Sequence, residues 1–133
     1  MHTRHARFVV FLLFAGIAAC GLGQALKVTS LQLGRSLNTD GTVAVHTTAF
    51  SPDGTIYLSV LTTGAGSGEI GVRWTYNGRV VGEPKKQVSY RDDAATEFHL
   101  QSAGGFPTGE YKVEAFLNGQ PAGTRTFRVE ISR

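Results

Sequence analysis

An all-β fold of short antiparallel strands is what this 133-residue sequence predicts, and three observations predict it. Apolar and polar residues alternate with period two, most cleanly in Ile70-Gly-Val-Arg-Trp-Thr-Tyr76, where Ile70, Val72, Trp74 and Tyr76 share one face. Turn-forming pairs punctuate these segments. Asn77-Gly78 and Asn118-Gly119 suit two-residue hairpins, because both central positions of a type I′ turn need positive φ. No stretch keeps helical spacing for three turns without Gly, Pro or a β-branched cluster. With 41% hydrophobic residues the chain can fill one core, and its length excludes a TIM barrel, a propeller or a two-domain enzyme.

The elements follow in order. Leu26 to Leu33 is expected as a first strand and Thr42 to Phe50 as a second, closed by the turn Ser51-Pro-Asp-Gly54. Thr55 to Thr63 places Ile56, Leu58 and Val60 on one face, with Tyr57 and Leu61 outward. Gly64-Ala-Gly-Ser-Gly68 reads as a flexible loop. After Ile70–Tyr76 the chain turns into Arg79–Glu83, which Pro84 ends. Weaker strands run over Gln87–Arg91 and Ala95–Gln101. Gly109–Leu117 turns Tyr111, Val113, Ala115 and Leu117 inward, and Thr124–Ile131 does the same with Phe127, Val129 and Ile131. Seven to nine such strands make a sandwich or a small barrel.

The order of landmarks resembles the immunoglobulin-like sandwich. Trp74 lies on a central strand, and Gly109-Glu-Tyr-Lys-Val113 resembles a tyrosine corner, with Tyr111 opening the penultimate strand. The resemblance implies that Trp74, Tyr111 and Val113 are structural core residues. Val113 stands where antibody domains carry their second Cys, so an apolar pair with Leu58 or Val60 would replace the disulfide. The segments Phe50–Tyr57, Trp74–Gly78, Phe98–Leu100 and Phe106–Gly119 are similar to small Ig-like domains of exported bacterial proteins, over about Leu26–Ile131. Those domains often carry a leader or a lipobox and have no assigned chemistry.

Residues 1–19 read as a secretory leader. Arg4 and Arg7 precede Phe8–Ala19, a run of 12 apolar or small residues, short of the roughly 20 that span a bilayer. Two cleavage sites compete. Ile17-Ala-Ala-Cys20 resembles a bacterial lipobox, which implies diacylglycerol on Cys20 and cleavage before it; Gly23-Gln-Ala25 is a small-x-small site that would discard Cys20. Cys20 is the only cysteine of the chain. The expected organisation is a leader over 1–19, a short tether over 20–25, and an Ig-like domain over 26–133. Gly21 after the Cys resembles the sorting pattern for the outer membrane, periplasmic face.

Charge and chemistry exclude more than they offer. Of 13 Lys and Arg, loss of Arg4 and Arg7 leaves 11 against 10 acidic residues, with only Lys85 and Lys86 adjacent, so no basic stripe for nucleic acid exists. Gly64-Ala-Gly-Ser-Gly68 lacks the strand-to-helix turn of a nucleophile elbow. After leader removal only His46 and His99 could serve as bases. His99 is expected to face solvent and His46 to lie on an edge strand. Asp92-Asp93 reads as a turn with local Asx bonds, weak calcium binding being the alternative, and Gly104-Gly105 lies in no strand–helix context. No metal site, no cofactor beyond the covalent lipid and no enzyme activity are expected. What remains is surface: Phe116 falls outward among Arg73, Thr75, Thr126 and Arg128, an aromatic ringed by arginine of the kind that anchors protein or sugar contacts. The expected function is a non-enzymatic envelope lipoprotein that binds another envelope protein or a glycan near the membrane. Two alternatives stay open: a secreted filament subunit pairing strand edges, and a glycan-binding or hydrolase-inhibitor module.

Overall fold

The structure is a computed structural model and describes residues 24–131. The leader, the lipobox and Cys20 lie outside the described residues. Ten strands follow in order: β1 (Lys27–Leu37), β2 (Val43–His46), β3 (Ala49–Phe50), β4 (Ile56–Thr63), β5 (Gly66–Tyr76), β6 (Arg79–Gly82), β7 (Lys85–Tyr90), β8 (Ala94–Leu100), β9 (Gly109–Leu117) and β10 (Gln120–Val129). One sheet has the order β2-β1-β4-β8. The other runs β3-β10-β9-β5-β6, with β7 pairing the first half of β5.

Consecutive strands change sheet at β2–β3, β3–β4, β4–β5, β7–β8 and β8–β9, and β3 runs parallel to β10 at the sheet edge. That pattern of crossings is the immunoglobulin-like Greek key of two packed antiparallel sheets. The registers define two poles. Lys27 pairs Thr63, and Leu117 pairs both Ile70 and Gln120, so the chain enters at the pole of the 64–65 and 118–119 turns. Ile56 pairs Leu100 and Tyr76 pairs Tyr111 at the opposite pole.

The core lies where the two inner faces meet. Ile56, Leu58 and Val60 of β4 meet Ile70, Val72 and Trp74 of β5, and Val113, Ala115 and Val129, in one buried cluster. Val113 is fully buried in the same cluster as Leu58 and Val60, so apolar packing occupies the place of a disulfide. Phe127 is the aromatic hub. Its ring stacks on Tyr111 at 5.2 Å and meets Phe50 and Trp74 edge-on at 5.4 and 5.9 Å. Offset and edge-to-face pairs of this kind add about 0.5–1.5 kcal/mol each beyond their area.

Tyr111 forms the tyrosine corner. Its hydroxyl donates to the Pro107 carbonyl at 2.7 Å and ties the loop before β9 to the strand. Neighbouring Tyr76 stacks on it at 4.5 Å and donates to the Thr108 carbonyl. Burial, and then the phenol of Tyr76, push the Tyr111 pKa above its usual 10.0. In the unfolded chain the phenol loses its proton first as pH rises, so the unfolded state binds fewer protons and stability falls above about pH 10. Tyr111→Phe is expected to cost about 0.5–1.5 kcal/mol at neutral pH, through the lost hydrogen bond, and to flatten that alkaline decline. Urea unfolding of both proteins across pH 7–11 measures it.

Four expectations need correction. The glycine-rich segment 64–68 is mostly strand: Gly66, Ser67 and Gly68 open β5 and pair Tyr90, Ser89 and Val88 of β7. Thr42–Phe50 is two strands, because the chain leaves the first sheet at β2 and joins the second at β3. β10 starts at Gln120, with a bulge between Pro121 and Gly123, and ends at Val129, which leaves Ile131 72% exposed.

The fourth concerns the outer face of the four-stranded sheet. The β1–β2 hairpin folds back across it. The Gln32 side chain accepts from the Val43 amide at 3.2 Å, and the tip glycine Gly41 lies against the Ala95 carbonyl of β8. Asp40 holds the tip by accepting from the Thr42 hydroxyl and amide at 2.6 and 2.9 Å, bonds that lower its carboxyl pKa. Beneath this cover Ser59 is fully buried although strand alternation turns it outward, and its hydroxyl has no hydrogen-bond partner among the described residues. Tyr57 and Leu61 on the same face are half-buried.

Candidate functional site

The outer face of the six-stranded sheet carries the residues that the sequence singles out. Alternation on β5 turns Gly71, Arg73 and Thr75 to this face, and alternation on β9 turns Glu110, Lys112, Glu114 and Phe116 there. Register does the rest. Gly71 stands opposite Phe116, Arg73 opposite Glu114, and Thr75 opposite Lys112.

Arg73 and Phe116 meet. The guanidinium carbon lies 4.9 Å from the ring centroid, and Nε is 3.0 Å from Glu83 Oε2. Glu114 approaches the same guanidinium at 3.9 Å. The arginine is therefore held in place from three sides. A cation over an aromatic face is worth about 0.5–1 kcal/mol when exposed. Beside this stack, the missing side chain of Gly71 leaves a notch of about 160 Å³ bordered by Phe116, Arg73, Glu83, Pro84 and Lys85. A methyl group at Gly71 would meet Lys85 Cγ at 3.6 Å, an ordinary van der Waals contact, so the Lys85 stem walls the notch without filling it.

The other three residues lie apart from this centre. Thr75 and Thr126 flank Lys112, four positions from Phe116 and about 13 Å along the strand. Arg128 pairs Glu110 at 3.1 Å, six positions and about 20 Å away, towards the other pole. The ring of arginine around Phe116 is thus a single arginine, and Arg128 belongs to a separate ion pair. Sequence reasoning missed Gly71, Glu83, Pro84 and Lys85. The signal was available in part: Pro84 after a strand marks a break in the ladder. The Pro84 carbonyl accepts from the Val72 amide at 3.0 Å, which returns the edge strand to β5 beside the notch.

The two histidines and the Asp92-Asp93 pair lie away from this face. His99 on β8 is half-exposed, as the sequence indicates, with Nδ1 2.5 Å from Glu97 Oε2 and its ring 6.0 Å from that of Tyr57. Lys86 of β7 reaches Glu97 by side chain and by the backbone carbonyl, spanning the gap between the two sheets. His46 is exposed on β2 opposite Gly34. Asp92 accepts from the Asp93 amide as a local turn bond, whereas Asp93 accepts from the Thr63 hydroxyl at the end of β4, 30 positions away in sequence. Among the described residues no three His, Cys, Asp or Glu side chains converge as metal ligands.

No family model matches the chain, and no curated protein matches it. Solved structures do. The CARDB domain of a Pyrococcus furiosus protein, in complex with di-metal ions, is 12% identical over 81% of this chain and 88% of that one, with a TM-score of 0.46. A Kluyveromyces marxianus β-glucosidase is 18% identical over 77% of this chain, with a TM-score of 0.43. A Pseudomonas fluorescens alkylpurine DNA glycosylase, bound to DNA containing an abasic site analog, is 15% identical over 79%, with a TM-score of 0.44. This chain spans 14% of the length of the glucosidase and 30% of that of the glycosylase. The fold assignment rests on the strand order and register described above.

Proposed function

We propose that the protein is a non-enzymatic binding module of the bacterial envelope, anchored through lipid on Cys20 and engaging another envelope protein through the outer face of its six-stranded sheet. The observation that carries the binding face is the Arg73–Phe116 stack beside the notch at Gly71. A braced arginine and an aromatic edge next to a small concavity form a ready anchor point, because little side-chain freedom remains to be lost on binding. The anchor reading draws on the lipobox-like Ile17–Cys20.

The path of the chain suits such an anchor. Ala25 bridges Ala65 in parallel, and the Gln24 carbonyl accepts from the Ala65 amide at 3.1 Å, so a tether beginning at Cys20 meets the domain at a fixed pole. Four intervening residues reach about 14 Å at most. That pole stays near the bilayer.

A secreted subunit that pairs strand edges is the second reading. It is favoured by β10, whose outer side pairs with no strand between Gln120 and Phe127 among the described residues. Against it, Arg125 points inward from that edge and donates to the Leu31 carbonyl at 2.7 Å, a guard of the kind that discourages edge pairing.

Intact mass and detergent partitioning of the protein made in a bacterial host, beside Cys20→Ser, test the anchor. A lipid-sized mass increment lost in the variant is expected. A soluble chain beginning at Leu26 and indifferent to the substitution would overturn the anchor and promote the secreted reading. Phe116→Ala is expected to reduce capture of envelope proteins at least tenfold, and unchanged capture removes this face.

A further inference from the structure

The pole opposite Ala25 carries a second concavity, built where the β5–β6 hairpin of one sheet faces the end of β8 and the loop after it in the other. It measures about 340 Å³ and is lined chiefly by Tyr76, Arg79, Val81, Leu100, Phe106 and Tyr111. That volume falls in the range of sites for small organic molecules. We propose that this groove binds a small amphiphilic carboxylate, with Arg79 holding the anionic head and the apolar body lying against Val81, Leu100 and Phe106.

Three observations carry the choice of ligand. The walls are apolar and one of them is uncovered: Val81 is 46% exposed, among the few large hydrophobic side chains of the domain left in water. The tyrosine hydroxyls are already engaged, Tyr76 with the Thr108 carbonyl and Tyr111 with the Pro107 carbonyl, so they are not free to donate to a neutral ligand. The lining contains one cationic side chain, Arg79, and no carboxylate. On the neighbouring sheet face, by contrast, Arg73 and Arg128 each have a carboxylate at 3.0 and 3.1 Å. Among the described residues Arg79 has no such partner. A planar guanidinium at the rim of an apolar wall favours a carboxylate, which can accept two parallel hydrogen bonds from it.

This inference goes beyond the anchored-module reading and does not depend on it, since the groove forms whether or not Cys20 carries lipid. Hydrogen-exchange mass spectrometry of the full chain, titrated with 4-phenylbutyrate or with 4-phenylbutan-1-ol, tests it. The expected result is protection confined to segments 76–81 and 100–107, with the carboxylate half-saturating at about one-fifth the concentration of the alcohol, the discrimination of one exposed charge-assisted contact. Arg79→Gln should make the two ligands equal, and Val81→Asp should abolish carboxylate binding. Both positions are exposed, so neither change threatens the core. Absence of protection, protection elsewhere, or no preference for the carboxylate with Arg79 present would overturn the proposal.

Discussion

Phe127→Ala should lower the unfolding free energy by about 3–5 kcal/mol, the cost of deleting a large ring from a packed interior. Phe127 is 2% exposed and joins Phe50, Trp74 and Tyr111, so its loss opens a cavity bounded by three rings from three strands. None of them can collapse inward easily. Tyr111 is tied at its hydroxyl to Pro107, and the Phe50 carbonyl is bonded to the Glu130 amide. The expected cost therefore lies towards the upper end. With a single cysteine in the sequence no disulfide forms within the chain, so packing has to absorb it. Equilibrium unfolding in urea measures the loss, and a value below 1 kcal/mol would mean that Phe127 is not the hub its contacts make it.

Gly34→Ala is the second large effect, and it acts on the hairpin cover. A Cβ at Gly34 would lie 2.2 Å from Val43 Cγ1 and 2.3 Å from the Val45 carbonyl oxygen. The valine methyl can move, but the carbonyl belongs to the β2 backbone. Overpacking of this kind costs about 1–3 kcal/mol. The hairpin should lift from the sheet, with faster amide exchange over 43–46 and new exposure of Ser59. Adding Val43→Ala relieves the methyl and leaves the carbonyl collision, so the double variant should recover only part of the loss. Full recovery would place the clash with the side chain alone.

How much was legible follows the side chains. Ile70–Tyr76 and Gly109–Leu117 were readable because each has one buried and one solvated face, and alternation reports that directly. Glycine reports nothing. Gly66 and Gly68 belong to a ladder with β7, yet they carry no side chain to reveal the pattern, so the segment reads as a loop. The sheet change between β2 and β3 was hidden for another reason. Val43–His46 is buried only at Val43 and Ala49–Phe50 is two residues long, so neither half has a pattern of its own and only tertiary pairing decides which sheet each joins.

The same contrast divides the candidate site. Arg73 and Phe116 lie on two strands whose inward residues were evident, so their common outward face could be read. The distance from Phe116 to Arg128 depends on register along β9 and β10, which residue types do not encode. The groove near Arg79 was hidden further still, because its walls come from different sheets and converge only once the sandwich is closed.

One further consequence comes from the two poles. The described chain enters at the pole of Ala25 and leaves past Val129 at the other, with β1 and β10 running lengthwise between them. A pull applied across these ends would act along the strand axes and load the β1–β4 and β9–β10 ladders in shear. Their hydrogen bonds would then have to yield together, not one after another as in unzipping. If one end is fixed and a partner draws on the rest, the domain is built as a stiff mechanical link that resists extension along the line of tension.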